Sequence, residues 1–274
     1  MKSGQKRVPE DSDIERLHRR YQQQAGWTAA LRSYLMSQII LPEQPIMLEV
    51  GCGTGVILSE LQSDFSSSQC IGIDHDQDAL QYGRKMLSPN HYAQADAANL
   101  PFSANSFDLI FCHFFLLWAK PLLPILAEIQ RILKPGAHFL AFAEPDYGGR
   151  IDHPAALHRF AHWQEQALQR QGAHTRIGRE LAQLFQQAGF AAITSGLMGG
   201  EWQVKPTSNQ EQETLLKDLK SLPEIDQQEL EHLLKIDQTA HEEGTRILYV
   251  PTFYAVGRKK PLAISSIQPY NSGR

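Results

Sequence analysis

Cysteine is scarce in this chain. Three occur in 274 residues, Cys52, Cys70 and Cys112, with no C-x-x-C spacing. That excludes a disulfide framework and a thiolate zinc site, and it fits a reducing, cytoplasmic compartment. All three fall in or beside expected buried strands, where a free thiol behaves as a small hydrophobe. Long apolar runs are missing too: the longest, Leu109 to Ala119, is well short of the ~20 residues a membrane span needs, so no membrane insertion is expected. The first dozen residues, MKSGQKRVPEDS, lack an apolar stretch, so no secretory signal is expected. Basic residues are not in excess. Lys and Arg number 26 against 30 Asp and Glu, a net charge of −4, which removes the electrostatic footprint of a nucleic-acid or anionic-membrane binder. There is no G-x-S-x-G elbow, no catalytic cysteine pair, no metal-ligand cluster and no internal repeat, so no metal is expected.

What is present is an alternation of strand-like and helix-like segments from Ile46 to Ala143, the pattern of a parallel sheet with helices on both faces. The expected strands are Ile46 to Val50, Cys70 to Asp74, His91 to Gln94, Phe107 to Cys112 and His138 to Ala143. Between them helices are expected over Thr54 to Gln62, Gln77 to Leu87 and Leu122 to Leu133, the last stopped by Lys134-Pro135-Gly136. A helical leader, Asp13 to Ile40, precedes this core. After it come a loop at Glu144 to Gly149, helices over Pro154 to Gln171 and Arg179 to Ala188, and β-like segments at Ala191 to Val204 and Ile247 to Val256. A polar helical insert, Asn209 to about His241, separates the two β-like segments. Its leucines 215, 216, 219, 222, 230, 233 and 234 suggest packing by one face, as in a lid. The expected organisation is a leader or cap over 1–42, a main domain over 43–260 with helical inserts at about 150–176 and 208–243, and a disordered tail over 261–274.

The decapeptide IMLEVGCGTG, Ile46 to Gly55, concentrates the chemistry. An apolar strand ends in an acid, Glu49, and runs into Gly51, Gly53 and Gly55, which allow a sharp turn and close backbone approach to a ligand. The helix starting near Thr54 turns its unpaired N–H groups toward the same place, favouring a phosphate or an amino-acid carboxylate. A dinucleotide site prefers G-x-G-x-x-G, and here position 56 is Val. Asp74 lies a little over twenty residues beyond Gly51, where a ribose diol sits in either kind of nucleotide site, so it does not discriminate.

The ordered set of segments does. LEVGCGTG, GIDHDQDAL, QADAANLPFSANSFDLIFC, EIQRILKPGAHFLAFAEP and LFQQAGF resemble, in order, the motifs of class I S-adenosylmethionine-dependent methyltransferases of the small-molecule group that includes ubiquinone and menaquinone biosynthesis methyltransferases. The resemblance covers roughly Ile46 to Phe190. It implies an α/β fold with a doubly wound, mostly parallel sheet of seven strands, the last antiparallel, plus helical lid elements. It also implies S-adenosyl-L-methionine as cofactor and a small-molecule methyl acceptor. By resemblance, Glu49, Gly51, Cys52, Gly53 and Gly55 surround the methionine part, Asp74 takes the ribose hydroxyls, and His75 or Asp76 lines the adenine. Asp96 accepts the adenine amine while the Ala97 N–H reads a ring nitrogen, and His113 sits near the sulfonium. The chain has His113-Phe114-Phe115-Leu116 where many nucleic-acid amino methyltransferases carry Asn/Asp-Pro-Pro-Phe/Tyr, so no nucleic-acid partner is expected.

An activated methyl needs in-line positioning more than a strong base. Should the acceptor need to lose a proton, His113, Glu144, Asp146 and His153 are the candidate catalytic groups. The segment Glu144 to His153 leaves the fifth strand at the rim, and its glycines suit a moving substrate-side loop. Tyr147, Arg150, Trp163 and Trp202, with Phe114, Phe115 and Trp118, are candidates for an acceptor pocket, and Tyr21 and Trp27 of the leader for closure over the cofactor. A non-catalytic cofactor-binding or scaffold protein, whose partner surface would be the insert, and a nicotinamide oxidoreductase remain rival readings. Oligomeric state is left open.

Overall fold

A computed structural model describes residues 12–87, 91–199, 219, 222 and 225–261. Trp202, the first part of the insert and the tail beyond 261 lie outside the described residues, as does the expected end of the sixth strand at Val204.

The alternating pattern folds into one seven-stranded sheet. Its strands are β1 (Ile46–Val50), β2 (Gln69–Asp74), β3 (His91–Gln94), β4 (Phe107–Cys112), β5 (Leu133–Pro145), β7 (Ala191–Met198) and β9 (Thr252–Arg258), in the order β3-β2-β1-β4-β5-β9-β7. The first five pair in parallel, and β9 runs antiparallel to both of its neighbours. The seven-stranded, mostly parallel sheet with an antiparallel last strand is therefore as expected. β1 and β4 are near-continuous apolar runs because helices cover both faces of the sheet. The chain winds one way from β1 and the other from β4, so a crevice opens at their carboxyl ends.

Helical periodicity decides which faces are covered. In α4 (Leu122–Ile132), Ile125, Leu126, Ile129 and Ile132 are buried, and in α6 (Ile177–Gln187), Ile177, Leu181 and Phe185 are. On that side Phe139 of β5 stacks on Phe185 at 5.0 Å between centroids, and Phe190 packs against both. The other face is covered by α1 (Asp13–Ser37), through Ala25, Leu35 and Met36, and by α2 (Val56–Asp64), with α3 (Gln77–Met86) beside it.

Three local expectations are corrected. α2 starts at Val56 rather than Thr54, because Gly55 at φ +80° is still in the left-handed region. Lys134-Pro135-Gly136 does not separate a helix from a later strand. β5 begins directly after α4 at Leu133, paired with Phe107, and resumes pairing at His138 opposite Leu109, so the segment is a bulge with Gly136 at φ +82°. The segment after β5 is not an irregular loop: it forms a 3-10 turn and then β6 (Ile151–His153), which pairs with β8 (Ile247–Tyr249) in a separate two-stranded sheet.

That small sheet belongs to a cap with its own apolar cluster. Leu157, Phe160, Trp163 and Ala167, mostly from α5 (His158–Arg170), meet Leu219, Leu222, Ile225 and Leu233, the last from α7 (Gln227–Glu242). Beneath it is a buried charge network. Arg150 forks onto Asp152 at 2.8 and 2.9 Å, and Arg246 bonds Asp152 at 2.8 Å and Asp237 at 2.6 Å. None of these side chains is more than 4% exposed. Removing one member leaves buried charge uncompensated, which typically costs ~3–5 kcal/mol. Asp152→Ala is therefore expected to lower the unfolding free energy by about that amount in urea denaturation, and a loss below roughly 1 kcal/mol, the scale of a surface pair, would count against the network.

Candidate active site

The crevice above β1 and β4 is a cavity of about 890 Å³ walled by the glycine turn, the ends of β2 and β3, the segment after β4 and one face of α1. The turn is held to the sheet by Gly51 N–H and Cys52 N–H, which both donate to Ile73 O, at 2.8 and 2.9 Å. Gly51 has φ +72° and Gly53 φ +52°. A Cβ at Gly51 would stand 2.2 Å from the Phe115 ring and one at Gly53 2.6 Å from the Tyr21 ring, so backbone here is in close contact with the residues roofing the cavity. Gly55 is a correction: it does not line the cavity, and a Cβ there would strike the Tyr92 hydroxyl at 2.2 Å, so this glycine serves packing against β3.

Glu49 is the unusual group. It is 2% exposed, it lines the cavity, and its Oε2 has no hydrogen-bond partner. Burial raises its carboxyl well above the ordinary range, opposed more weakly by the Leu58 amide and the Arg32 charge. Asp74, at the tip of β2, accepts from Gly53 N–H at 2.7 Å and from Asp76 N–H at 2.9 Å, and has the exposed His75 ring 3.1 Å away. Asp76 caps α3 through the N–H groups of Asp78 and Ala79. Asp96 accepts from Ala98 N–H at 2.9 Å. Its loop is clamped from α4, where Glu128 accepts from Leu100 N–H at 2.8 Å and Arg131 donates to Leu100 O and Phe102 O at 2.9 and 2.7 Å.

The structure thus brings Glu49, Gly51, Cys52, Gly53, Asp74, His75, Asp96, Ala97 and His113 to one cavity. Three of the candidate proton acceptors are elsewhere. Glu144 is fully buried and its carboxylate accepts from the amides of Phe115, Leu116 and Leu117 at 3.0, 2.8 and 3.1 Å, so it braces the segment after β4 rather than facing substrate; burial lifts its carboxyl to about 7 against those amides. Asp146 is buried and bonded by Arg179. His153 is exposed at the end of β6. Among the acceptor-pocket candidates, Trp163 is core of the cap, Arg150 belongs to the buried network, and Tyr147 is half-buried outside the cavity, whereas Phe114, Phe115 and Trp118 do line it. Of the leader aromatics Tyr21 faces the cavity and Trp27, 47% exposed, faces away. Burial and then Asp74 push the Tyr21 hydroxyl up to about 12, so it stays protonated.

Residues that sequence reasoning missed are Leu17, Arg20 and Gln24, on the same face of α1 as Tyr21, and Lys120 after β4. The spacing 17, 20, 21, 24 was the available signal. Two hydrogen bonds fasten α1 there. His18 Nδ1 lies 2.8 Å from Thr54 Oγ1 and His113 Nε2 lies 2.8 Å from Thr28 Oγ1. Burial first, and then the nearby Arg32 charge, lower His113 to about 3, so its ring is neutral across the physiological range and a poor base. Among the described residues no group of His, Cys, Asp and Glu could hold a metal ion, and no helix is long and apolar enough to cross a membrane.

Comparison with known proteins places this geometry. Residues 48–141 match the family model of a methyltransferase domain. The chain is 31% identical over 186 residues to a demethylmenaquinone methyltransferase of Lactiplantibacillus plantarum, an alignment covering 59% of this chain and 77% of that one. It is 27% identical to a malonyl-[acyl-carrier protein] O-methyltransferase of a Marinomonas species, over 46% of this chain and slightly under half, 47%, of that relative. Among solved structures, phosphoethanolamine N-methyltransferase 2 of Haemonchus contortus, crystallised with S-adenosyl-L-methionine, is similar in fold. Its TM-score is 0.54 at 19% identity, with 85% of this chain and 53% of that one covered.

The neutral His113 has a sign that can be checked. Its folded pKa lies below the unfolded value of 6.5, so the unfolded chain binds the extra proton, and the ring's contribution to stability is present above pH 6.5 and lost as pH falls toward 3. Unfolding free energy is expected to fall below pH 6.5 by up to about 1.4 kcal/mol per pH unit from this ring, and His113→Asn should flatten that slope. Equal slopes for the two proteins would show that His113 titrates normally.

Proposed function

Because the chain belongs to the class I S-adenosylmethionine-dependent methyltransferases, we propose that the cavity at the tips of β1, β2 and β4 holds S-adenosyl-L-methionine and presents its methyl to a small-molecule acceptor. The enzyme transfers that methyl to N, O or C of the acceptor. The observation that carries the reading is Glu49: a buried carboxylate oxygen without a partner, on a residue that lines a cavity whose adjoining wall is glycine backbone. An isolated buried carboxylate is costly, and an amino-acid ammonium would supply the partner it lacks. A phosphate would not, since it would face the acid. The residues therefore fit a methionine-bearing nucleoside better than a dinucleotide.

When bound, the cofactor supplies a methyl already activated on a sulfonium sulfur. The chain's part is to bind, orient and exclude water. Glu49 accepts from the ammonium, and Gly51, Cys52 and Gly53 give the methionine part backbone to lie on. Arg20 and Tyr21 of α1 bring a cation and a hydroxyl to the cavity. Asp74 takes the ribose hydroxyls, and Asp96 with the Ala97 N–H reads the adenine edge, on a loop clamped by Glu128 and Arg131. Phe114, Phe115 and Trp118 give the acceptor an apolar, aromatic wall, and the cap formed by α5, α7 and the β6–β8 sheet is a lid subdomain of the main domain. Alignment of acceptor and methyl then accounts for most of the rate enhancement, up to ~7–11 kcal/mol where alignment is good. The placements of Glu144, Asp146 and His153 give no support to a proton-accepting role for them. The acceptor is a small molecule, as it is for relatives whose names specify demethylmenaquinone and trans-aconitate. Net charge of −4 supports the absence of a nucleic-acid partner, and three buried free thiols support a cytoplasmic setting.

Titration calorimetry with S-adenosylhomocysteine tests this. The wild-type protein is expected to bind, and Asp74→Ala to weaken binding at least tenfold, a loss of about 1.4 kcal/mol or more. No binding by the wild type at high micromolar concentration would contradict the reading, and unchanged affinity in Asp74→Ala would reject the ribose role.

A further inference from the structure

His113 reaches the cavity from the end of β4 and is held from behind by α1. Its Nε2 lies 2.8 Å from the hydroxyl of Thr28, a residue with no exposed surface. Three other groups surround that hydroxyl. Arg32 donates to it through Nη1, and the carbonyl oxygens of Gln24 and Ala25 each lie 3.3 Å away. A guanidinium has only donors and keeps its proton. Thr28 Oγ1 is therefore the acceptor toward Arg32, and its single hydrogen goes to one of the remaining three. His113 Nε2 is the nearest of them, and a hydroxyl bond at 2.8 Å is near the optimum while 3.3 Å is beyond it. Nε2 then accepts, and a neutral imidazole must carry its proton on Nδ1.

Other contacts help to fix the ring. Phe114 meets the ring edge-on, centroids 4.6 Å apart, and is itself held at φ +50° with its N–H donating to Ala143 O at 2.9 Å. Arg32, buried to 3% exposure, also donates to Ala25 O at 2.7 Å and pairs with Glu60, so the guanidinium is not free to turn away from Thr28. Nδ1 has no hydrogen-bond partner among the described residues, and the ring is half-buried at the cavity wall.

We propose that Arg32 and Thr28 are positioning residues that lock His113 as a neutral ring with its proton on Nδ1, so that the ring offers the cavity an N–H donor and takes no proton from the acceptor. The inference rests on the cavity being the methyl-transfer site proposed above. A donor in that place selects a group carrying an electron pair, such as a phenolate, enolate or carboxylate oxygen. A protonated amine would set N–H against N–H. Both burial and the positive charge of Arg32 behind Thr28 oppose a second proton on the ring.

Nitrogen-15 NMR of the full chain, labelled at histidine and recorded at pH 7 with and without S-adenosylhomocysteine, reads the tautomer directly. The His113 signals are those missing from His113→Asn. The expected spectrum has a protonated, pyrrole-like Nδ1 and an unprotonated, pyridine-like Nε2. Thr28→Ser, which keeps the hydroxyl, should retain it, and Thr28→Val should raise the Nε2–H population roughly fivefold or more, as for the loss of one hydrogen bond. A proton on Nε2 in the wild type, a doubly protonated ring, or a Thr28→Val spectrum identical to wild type would overturn the proposal. If Thr28→Val does not fold, the wild-type spectrum alone still decides where the proton sits. Failure to bind S-adenosylhomocysteine would count against the cofactor site, and a wrong tautomer in a protein that binds it would count against this assignment alone.

Discussion

A carboxyl group buried with one oxygen unpartnered is the constraint on which the rest of this site turns. Glu49 stands at the end of the central strand, with β2 on one side and β4 on the other, and the sheet gives its side chain no water and its Oε2 no donor. Such a group destabilises the folded state when ionised, because its pKa is raised above that of the unfolded chain and stability falls as pH rises through that range. In the function proposed above, a bound cation offsets that cost. The glycine turn that follows, the Tyr21 ring over Gly53 and the Phe115 ring over Gly51 shape the space in which a cationic group can reach it.

Two strands away, Glu144 shows the alternative solution. It is as deeply buried, also at the end of a strand, yet three consecutive amides from 115 to 117 satisfy it. Amides that point at a carboxylate are a common way to bury one, and here they also hold the segment carrying His113, Phe114 and Phe115 against the cavity. One glutamate is thus tied to the scaffold, and the other keeps an unpartnered oxygen at the cavity. The same contrast separates Asp146 and Asp152, both consumed by arginines, from Asp74 and Asp96, whose backbone bonds leave them at the cavity wall.

What could be read from the sequence was what is local. Ile46 to Gly55, Asp74 and Asp96 announce themselves because strand, turn and acid are neighbours in the chain, and the order of segments set the sheet. Glu144 reads in sequence as a free acid because the amides that bind it come from residues about thirty positions earlier, and Asp146 does so because Arg179 lies 33 residues later. The β6–β8 pair joins Ile151 to Tyr249, a separation that no periodicity reveals. The leader is legible as a helix, but the face it turns to the cavity depends on packing against α2 and β5, so the sequence does not tell Arg20 and Gln24, which line the cavity, from Trp27, which faces away. Lys134-Pro135-Gly136 carried a correct turn signal whose outcome, a bulge inside one strand, was set by pairing with β4.

The central claim is that Glu49 meets the ammonium of the cofactor, and proton linkage tests it most directly. Burial raises the Glu49 carboxyl and a paired cation lowers it again, so binding releases a proton wherever the free acid holds one. Calorimetric binding of S-adenosylhomocysteine in buffers of different ionisation enthalpy, carried through a pH series above the ordinary carboxylate range, should therefore show net proton release, and Glu49→Gln should both abolish that release and weaken binding. A binding enthalpy independent of buffer, together with Glu49→Gln binding as tightly as wild type, would contradict the account.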